Sequence, residues 1–168
     1  KYELTHETIA GAEALVRWVS PEEGMIFPGE FIPLFEKNGF IVELDLYMFE
    51  QVCKMIESWH KNGYRIIPVS VNMSRGHFLV PNFFDRYKEI LERYDVPKGS
   101  IEIELTESLF LNEISTMTDL VNKIHEVGLR CSIDDFGSGY SSLNMLKDIK
   151  VDALKLDRVF FVKTEEDK

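Results

Sequence analysis

Cysteine is scarce here: Cys53 and Cys131 are the only two among 168 residues, and neither belongs to a Cys-x-x-Cys pair. That argues against a disulfide-stapled scaffold or a zinc ribbon and leaves buried thiols in a reducing compartment, the cytoplasm, as the expectation. The four histidines, His6, His60, His77 and His125, lack metal-ligand spacing and read as solvated or packing side chains. Basic charge is short as well. Nineteen Lys and Arg against 29 Asp and Glu give a net charge of −10, which disfavours a DNA or RNA polymer as partner, because such binders present a basic face. A phosphate-bearing ligand stays open if metal cations mediate the contact. No run is apolar enough to span a bilayer, so no membrane contact by this segment is expected. The opening KYELTHETIAG lacks the basic-then-apolar order of a signal peptide.

Hydrophobic residues make up 45% and aromatics 12%, enough for one globular domain over 1–168 with a real core and a frayed tail at 163–168. Residues 9–18, IAGAEALVRW, read as a short strand or a helical turn. Pro28 to Gly39 reads as a short helix, stopped by Asn38-Gly39. In the longer helix that follows, Leu46, Phe49, Val52, Cys53, Ile56 and Trp59 recur near every 3.6 residues, up to a stop at Asn62-Gly63. IIPVSVNMS is a strand. Asn82 then caps a helix whose face carries Phe83, Phe84, Tyr87, Ile90, Leu91 and Tyr94. SIEIELTES alternates with period two and is a strand. Ser115 or Thr116 opens a helix through Val127, closed by Gly128. LRCSIDD is a strand, SSLNMLKDI a short helix and DALKLD a strand. Strand and helix alternate, as in a parallel α/β sheet or barrel, although five strands are few for a closed one.

Chemistry in parallel α/β folds gathers at the carboxyl ends of the strands. In chain order those ends offer Glu13 and Arg17, then Asn72, then Glu104 and Glu107, then Asp134 and Asp135, and last Lys155 and Asp157. Hard oxygen donors of this kind suit Mg²⁺ or Mn²⁺ better than zinc. Two such ions would clamp a phosphate, and Asp134 and Asp135, as neighbours on an extended chain, would point different ways to serve both. Blander readings stand beside each of these. Asp-Asp before Phe-Gly suits a turn; Asn72 could satisfy backbone groups at a strand end; Lys155, on the face opposite Leu154 and Leu156, could be an outward charge; Arg17 could stack on Trp18. Glu104 among apolar neighbours is harder to explain blandly, because an unpaired carboxylate there is costly.

Glu13-Ala14-Leu15-Val16-Arg17-Trp18, followed in order by SVNMS, ELTE, DDFGSGYSSL and LKLDR, resembles the EAL domain family. The resemblance implies a TIM-barrel phosphodiesterase that hydrolyses the bacterial second messenger cyclic di-GMP to linear pGpG with Mg²⁺ or Mn²⁺. It implies Glu13, Asn72, Glu104, Asp134 and Asp135 as metal ligands, and Lys155 as the residue that positions or deprotonates the attacking water. Arg17 would hold a ligand phosphate, Leu15 would line the cleft, and Glu107 would anchor the DDFGSGYSS loop, which Gly137 and Gly139 allow to turn sharply. That loop also takes part in dimer contacts in the family.

The family's initial Tyr-Gln-Pro-like strand and its later Glu-Gly-Val-Glu and final strands have no counterpart here. The expected fold is therefore an incomplete (β/α) barrel, lacking the first strand and the last two β/α units, and since the resemblance gives the first glutamate of Glu-Gly-Val-Glu to the metal site, this chain alone is expected to be weakly active or inactive. Open strand edges lead to the expectation of a homodimer or swapped assembly. Two other functions compete: a module that binds cyclic di-GMP without cleaving it, and a carboxylate-pair glycosidase. The glycosidase needs no metal and leaves Asn72 and Lys155 without work.

Overall fold

The computed structural model describes residues 1–110, 114–138 and 149–161. The expected helix over SSLNMLKDI, apart from its last residue, and the expected frayed tail lie outside the described residues. Contacts divide the chain into two compact units, Lys1–Ile101 and Glu102–Lys168.

The first unit opens with two small antiparallel hairpins that the sequence did not announce. One pairs β1 (Tyr2–Glu3) with β2 (Thr8–Ile9), and the other pairs β4 (Trp18–Ser20) with β5 (Gly24–Ile26). The turn of the second is closed by Ser20 Oγ, which accepts from the Glu22 and Glu23 amides at 3.2 and 3.3 Å. The expected strand over 9–18 shrinks to β3 (Ala12–Glu13), which runs parallel to β6 (Val69–Asn72). Trp18 packs on Phe31 and Phe35, with ring centroids 5.5 and 5.8 Å away, while Arg17 turns its guanidinium to the Val16 carbonyl at 2.8 Å.

Helix α1 (Pro28–Asn38) starts as its first turn dictates, with Pro28 where a missing N–H costs nothing and Glu30 accepting from the Phe27 amide at 3.2 Å. Gly39, at φ 80°, ends it in the left-handed conformation. Helix α2 (Ile41–Lys61) buries the expected seam at Leu46, Phe49, Val52, Cys53 and Ile56. Ile41 and Val42 extend the buried stripe toward the start of the helix, and it also holds an unforeseen acid, Asp45, only 8% exposed. Helix α3 (Phe83–Leu91) begins after Asn82, but the side chain of Asn82 makes no capping bond. Its backbone sits at φ 53°, left-handed, which aims the side chain away from the amides it was expected to cap. Tyr94 falls past the helix end and bonds Glu50 at 2.7 Å.

In the second unit β7 (Ile101–Thr106), β8 (Arg130–Phe136) and β9 (Ala153–Leu156) run parallel in that order, separated by α4 (Glu107–Phe110) and α5 (Ile114–Glu126). The strand expected over SIEIELTES is present as β7. Five successive residues, Ile101 to Leu105, are buried, so both faces are covered, as parallel sheets require. Glu102, one of the buried acids, faces Arg130 at 3.8 Å.

Cys53 and Cys131 are buried and free, and burial pushes each thiol up to about 12, so neither is nucleophilic at neutral pH. No helix among the described residues is long and apolar enough to cross a membrane.

A carboxylate fixes the start of β9. Asp152 Oδ2 accepts from the Cys131 amide at 2.8 Å and contacts His125 Nε2 at 2.9 Å. Burial alone would raise this carboxyl, but the two partners outweigh it, and its pKa lies below the ordinary 3.8. A depressed carboxyl stabilises the fold above its unfolded value, and that contribution is lost as pH falls through the folded value. Asp152→Ala should therefore cost about 1 kcal/mol at pH 7. In urea titrations the gap to wild type should narrow as pH drops below roughly 4.

Candidate active site

In the first unit the ladder between β3 and β6 sets Glu13 opposite Ser70, with the Ala14 amide donating to the Ser70 carbonyl at 2.8 Å. Asn72 ends β6 and donates from Nδ2 to Glu13 Oε1 at 3.4 Å. Both side chains are exposed, as are Leu15 and Arg17 on the segment that follows β3. The EAL string thus leaves its strand within two residues of Ala12, and its polar ends face outward.

The second unit gathers a denser group. Lys155 Nζ donates to Glu104 Oε2 at 2.7 Å and to Asp134 Oδ2 at 2.8 Å, which joins side chains from β7, β8 and β9. The alternation of β9 is the reverse of an outward lysine: Leu154 and Leu156 are 37% and 45% exposed, while the Lys155 side chain is 27% exposed and that of Glu104 is 0%. Burial alone would lower the lysine's pKa. The hydrogen bonds to Asp134 and Glu104 win, and its proton is held more tightly than in water.

Asp134 and Asp135 do not sit on a regular extended chain. The β8–β9 register shifts between Ile133 and Phe136, and Asp135 adopts φ 54°, a left-handed conformation that aspartate tolerates better than most residues. Asp134 Oδ1 accepts the Asp135 amide at 2.9 Å and stitches the bulge. The two carboxylates diverge because of this bulge rather than because of strand alternation. Asp135 is exposed, and its carboxyl is raised by burial and by the charges of Asp134 and Asp157. Such crowding of acids is relieved by a proton or by a cation.

Glu107, 2% exposed at the start of α4, accepts from the Gly137 amide at 2.9 Å and lies 3.5 Å from Ser138 Oγ. Gly137 has φ +92°, and a Cβ there would stand 2.5 Å from Phe160 Cδ2. Gly137→Ala should therefore lower stability by about 2 kcal/mol through backbone strain and the clash. Phe160→Ala should restore part of this in a double-mutant thermal melt. Gly139 lies outside the described residues.

The donor set fits a hard divalent cation. It consists of carboxylate and amide oxygens, and in the second unit an ammonium already balances Glu104 and Asp134. Sequence reasoning missed the buried polar network of the first unit. Asp45 Oδ2 accepts from the Ser74 amide at 2.8 Å and from His77 Nε2 at 3.1 Å, and Tyr87 Oη lies 3.0 Å from the same nitrogen. Its signal was present: Asp45 falls four residues after Ile41 and four before Phe49, in the middle of an apolar stripe.

The EAL domain model matches residues 1–168. Among curated proteins, the cyclic di-GMP phosphodiesterase NbdA of Pseudomonas aeruginosa is 37% identical over 150 residues, covering 89% of this chain and 19% of that protein. The cyclic di-GMP phosphodiesterase PdeR of Escherichia coli is 35% identical over 152 residues, with 90% and 23% covered. The chain thus spans about a fifth of the length of these relatives. A solved structure of the PaMucR phosphodiesterase in its c-di-GMP complex superposes with a TM-score of 0.83 at 34% identity, covering 90% of this chain and 61% of that one. The parallel strands with intervening helices are accordingly those of an incomplete α/β barrel of the TIM type. With the name motif at Glu13-Ala14-Leu15 and a match that runs the full length, the chain belongs to the EAL domain family.

Proposed function

We propose that this chain is the catalytic module of a divalent-metal-dependent phosphodiesterase that opens cyclic di-GMP to linear pGpG. One observation carries the reading: a buried glutamate and an aspartate from neighbouring parallel strands share a lysine at 2.7 and 2.8 Å. Isolated buried acids are costly, and a structural ion pair would need one acid rather than two.

In this reading Glu13, Asn72, Glu104, Asp134 and Asp135 hold Mg²⁺ or Mn²⁺. Bound ions would neutralise charge on the phosphate and acidify a water. The chain's own residues do the remaining work. Lys155, a donor to two carboxylates, orients the attacking water by donating to its oxygen and balances the charge of Glu104 and Asp134. Arg17 takes a phosphate oxygen, since a guanidinium matches that geometry. Leu15, 53% exposed, offers apolar surface to a base. Glu107 holds Gly137 and with it the path of the loop that leaves Asp135. The protein would act in the cytoplasm, with self-association as a further property.

The test is incubation with cyclic di-GMP and Mn²⁺, with pGpG followed by chromatography. Product that disappears with EDTA supports the reading. Binding without product assigns a sensor instead, and metal-independent turnover defeats the proposal.

A further inference from the structure

The Asp45–His77–Tyr87 network lies under the exit of β6 and outside the ligand set. Asp45 comes from α2, His77 from the 3₁₀ turn Arg75–Leu79, and Tyr87 from α3. Burial is nearly complete: Asp45 is 8% exposed, His77 0% and Tyr87 1%. A carboxylate oxygen 3.1 Å from Nε2 requires the hydrogen on that nitrogen, because two lone pairs at that distance repel. The hydroxyl of Tyr87 is a second neighbour of the same nitrogen at 3.0 Å. His77 Nδ1 and Ser74 Oγ are buried with no hydrogen-bond partner among the described residues. Packing alone would favour apolar side chains at three such sites.

What the network holds is the backbone directly after Asn72. Asp45 takes the Ser74 amide at 2.8 Å, two residues beyond Asn72. The next turn is pressed onto α2, where a Cβ at Gly76 would meet Ile41 Cγ2 at 3.0 Å and Val42 Cγ2 at 3.3 Å. Three contacts from two helices therefore fix the segment from which the Asn72 side chain emerges toward Glu13. The alternative holder would be the β6 ladder, and that ends at Asn72 itself.

We infer that Asp45 is a positioning residue: through Ser74 and His77 it sets the direction in which Asn72 presents its amide. Its effect on metal affinity rests on the reading of Asn72 as a ligand. Its effect on Asn72 itself does not.

Two readouts separate these. In metal-free chain labelled with ¹⁵N, Asp45→Asn should move the Asn72 side-chain amide pair from its wild-type position, because a neutral carboxamide oxygen accepts from Ser74 and His77 far more weakly than the carboxylate oxygen that now holds both. Lys54→Gln, on the exposed face of the same helix, should leave the pair in place. By calorimetry Asp45→Asn should weaken Mn²⁺ binding about ten- to a hundredfold, the range typical of residues that orient a ligand. An unmoved Asn72 amide in a folded Asp45→Asn chain overturns the inference, whatever the metal does. A moved amide in a protein whose wild type takes no Mn²⁺ upholds the positioning role and removes the metal reading. If Asp45→Asn does not fold, Tyr87→Phe carries the test, since it keeps the ring and deletes only the hydroxyl on His77. Movement of the Asn72 amide then supports the inference, and its absence overturns it.

Discussion

Lys155→Met should destabilise the chain by about 3 kcal/mol in metal-free buffer, and Mn²⁺ should restore most of that loss. The first half follows from burial. The Glu104 side chain is 0% exposed, and Lys155 Nζ at 2.7 Å balances its charge. Breaking one side of a buried pair costs roughly 3–5 kcal/mol, and the low end applies because Lys155 is itself partly exposed. The second half follows from what the site is proposed to hold. Once the ammonium is gone, a divalent cation between Glu104 and Asp134 no longer competes with Lys155. At a hundredfold excess over its Kd, a ligand specific for the folded state contributes about 2.7 kcal/mol. Urea titrations of wild type and variant, with Mn²⁺ and with EDTA, measure both numbers. The gain from Mn²⁺ should be larger in the variant than in wild type. Adding Glu104→Gln to Lys155→Met should recover stability without metal, because the buried charge that lost its ammonium is then removed as well. A variant that falls and is not rescued would make the lysine a purely structural counter-ion.

The legible part of this fold was the part written in periodicity and punctuation. Ile41 to Lys61 repeats its apolar residues along one stripe, and Gly39 and Gly63 bracket it, so α2 was readable nearly to its ends. The two hairpins at the start were not, because strands of two or three residues carry no pattern to read. β7 was found, but the partners of its acids were not. Glu102 and Glu104 are both buried, and they face Arg130 on β8 and Lys155 on β9. Pairing across strands is not a local property of a sequence. The same reason hid the direction of Lys155: its flanking leucines look like core and turn out to be the more exposed residues.

Candidate residues were legible as residue types at strand ends, whereas their local geometry was not. The bulge at Asp134-Asp135 depends on the register between β8 and β9, and the left-handed φ of Asp135 follows from it. The buried Asp45 was visible as an acid in an apolar stripe. Its partners, His77 and the Ser74 amide, lie 32 and 29 residues away in the chain, and only folding brings them to it.

Asp134→Asn separates charge from shape at this site and should leave the fold in place while removing function. The side chain has two jobs here. Oδ1 accepts the Asp135 amide at 2.9 Å and shapes the bulge, and Oδ2 accepts Lys155 Nζ at 2.8 Å. An asparagine keeps one oxygen acceptor for the Asp135 amide, so the bulge persists; its NH₂ then faces Lys155 Nζ, which retains Glu104 as acceptor, and stability should fall by about 1–2 kcal/mol. The lost negative charge is another matter, since a neutral carboxamide oxygen is a much weaker partner for a hard cation. Under the proposed function, Mn²⁺ affinity should fall at least about tenfold, and in the full-length parent protein release of pGpG from cyclic di-GMP at saturating substrate should drop on the order of a hundredfold or more. Asp134→Ala should lose stability as well, because the Asp135 amide is then without its acceptor in a strained left-handed turn. Calorimetry with Mn²⁺, thermal melts and chromatographic product assays on the two variants give a pattern that distinguishes the roles. If Asn and Ala lose stability equally, and Asn retains wild-type affinity for Mn²⁺, Asp134 is a shaping residue of the bulge and the metal belongs elsewhere.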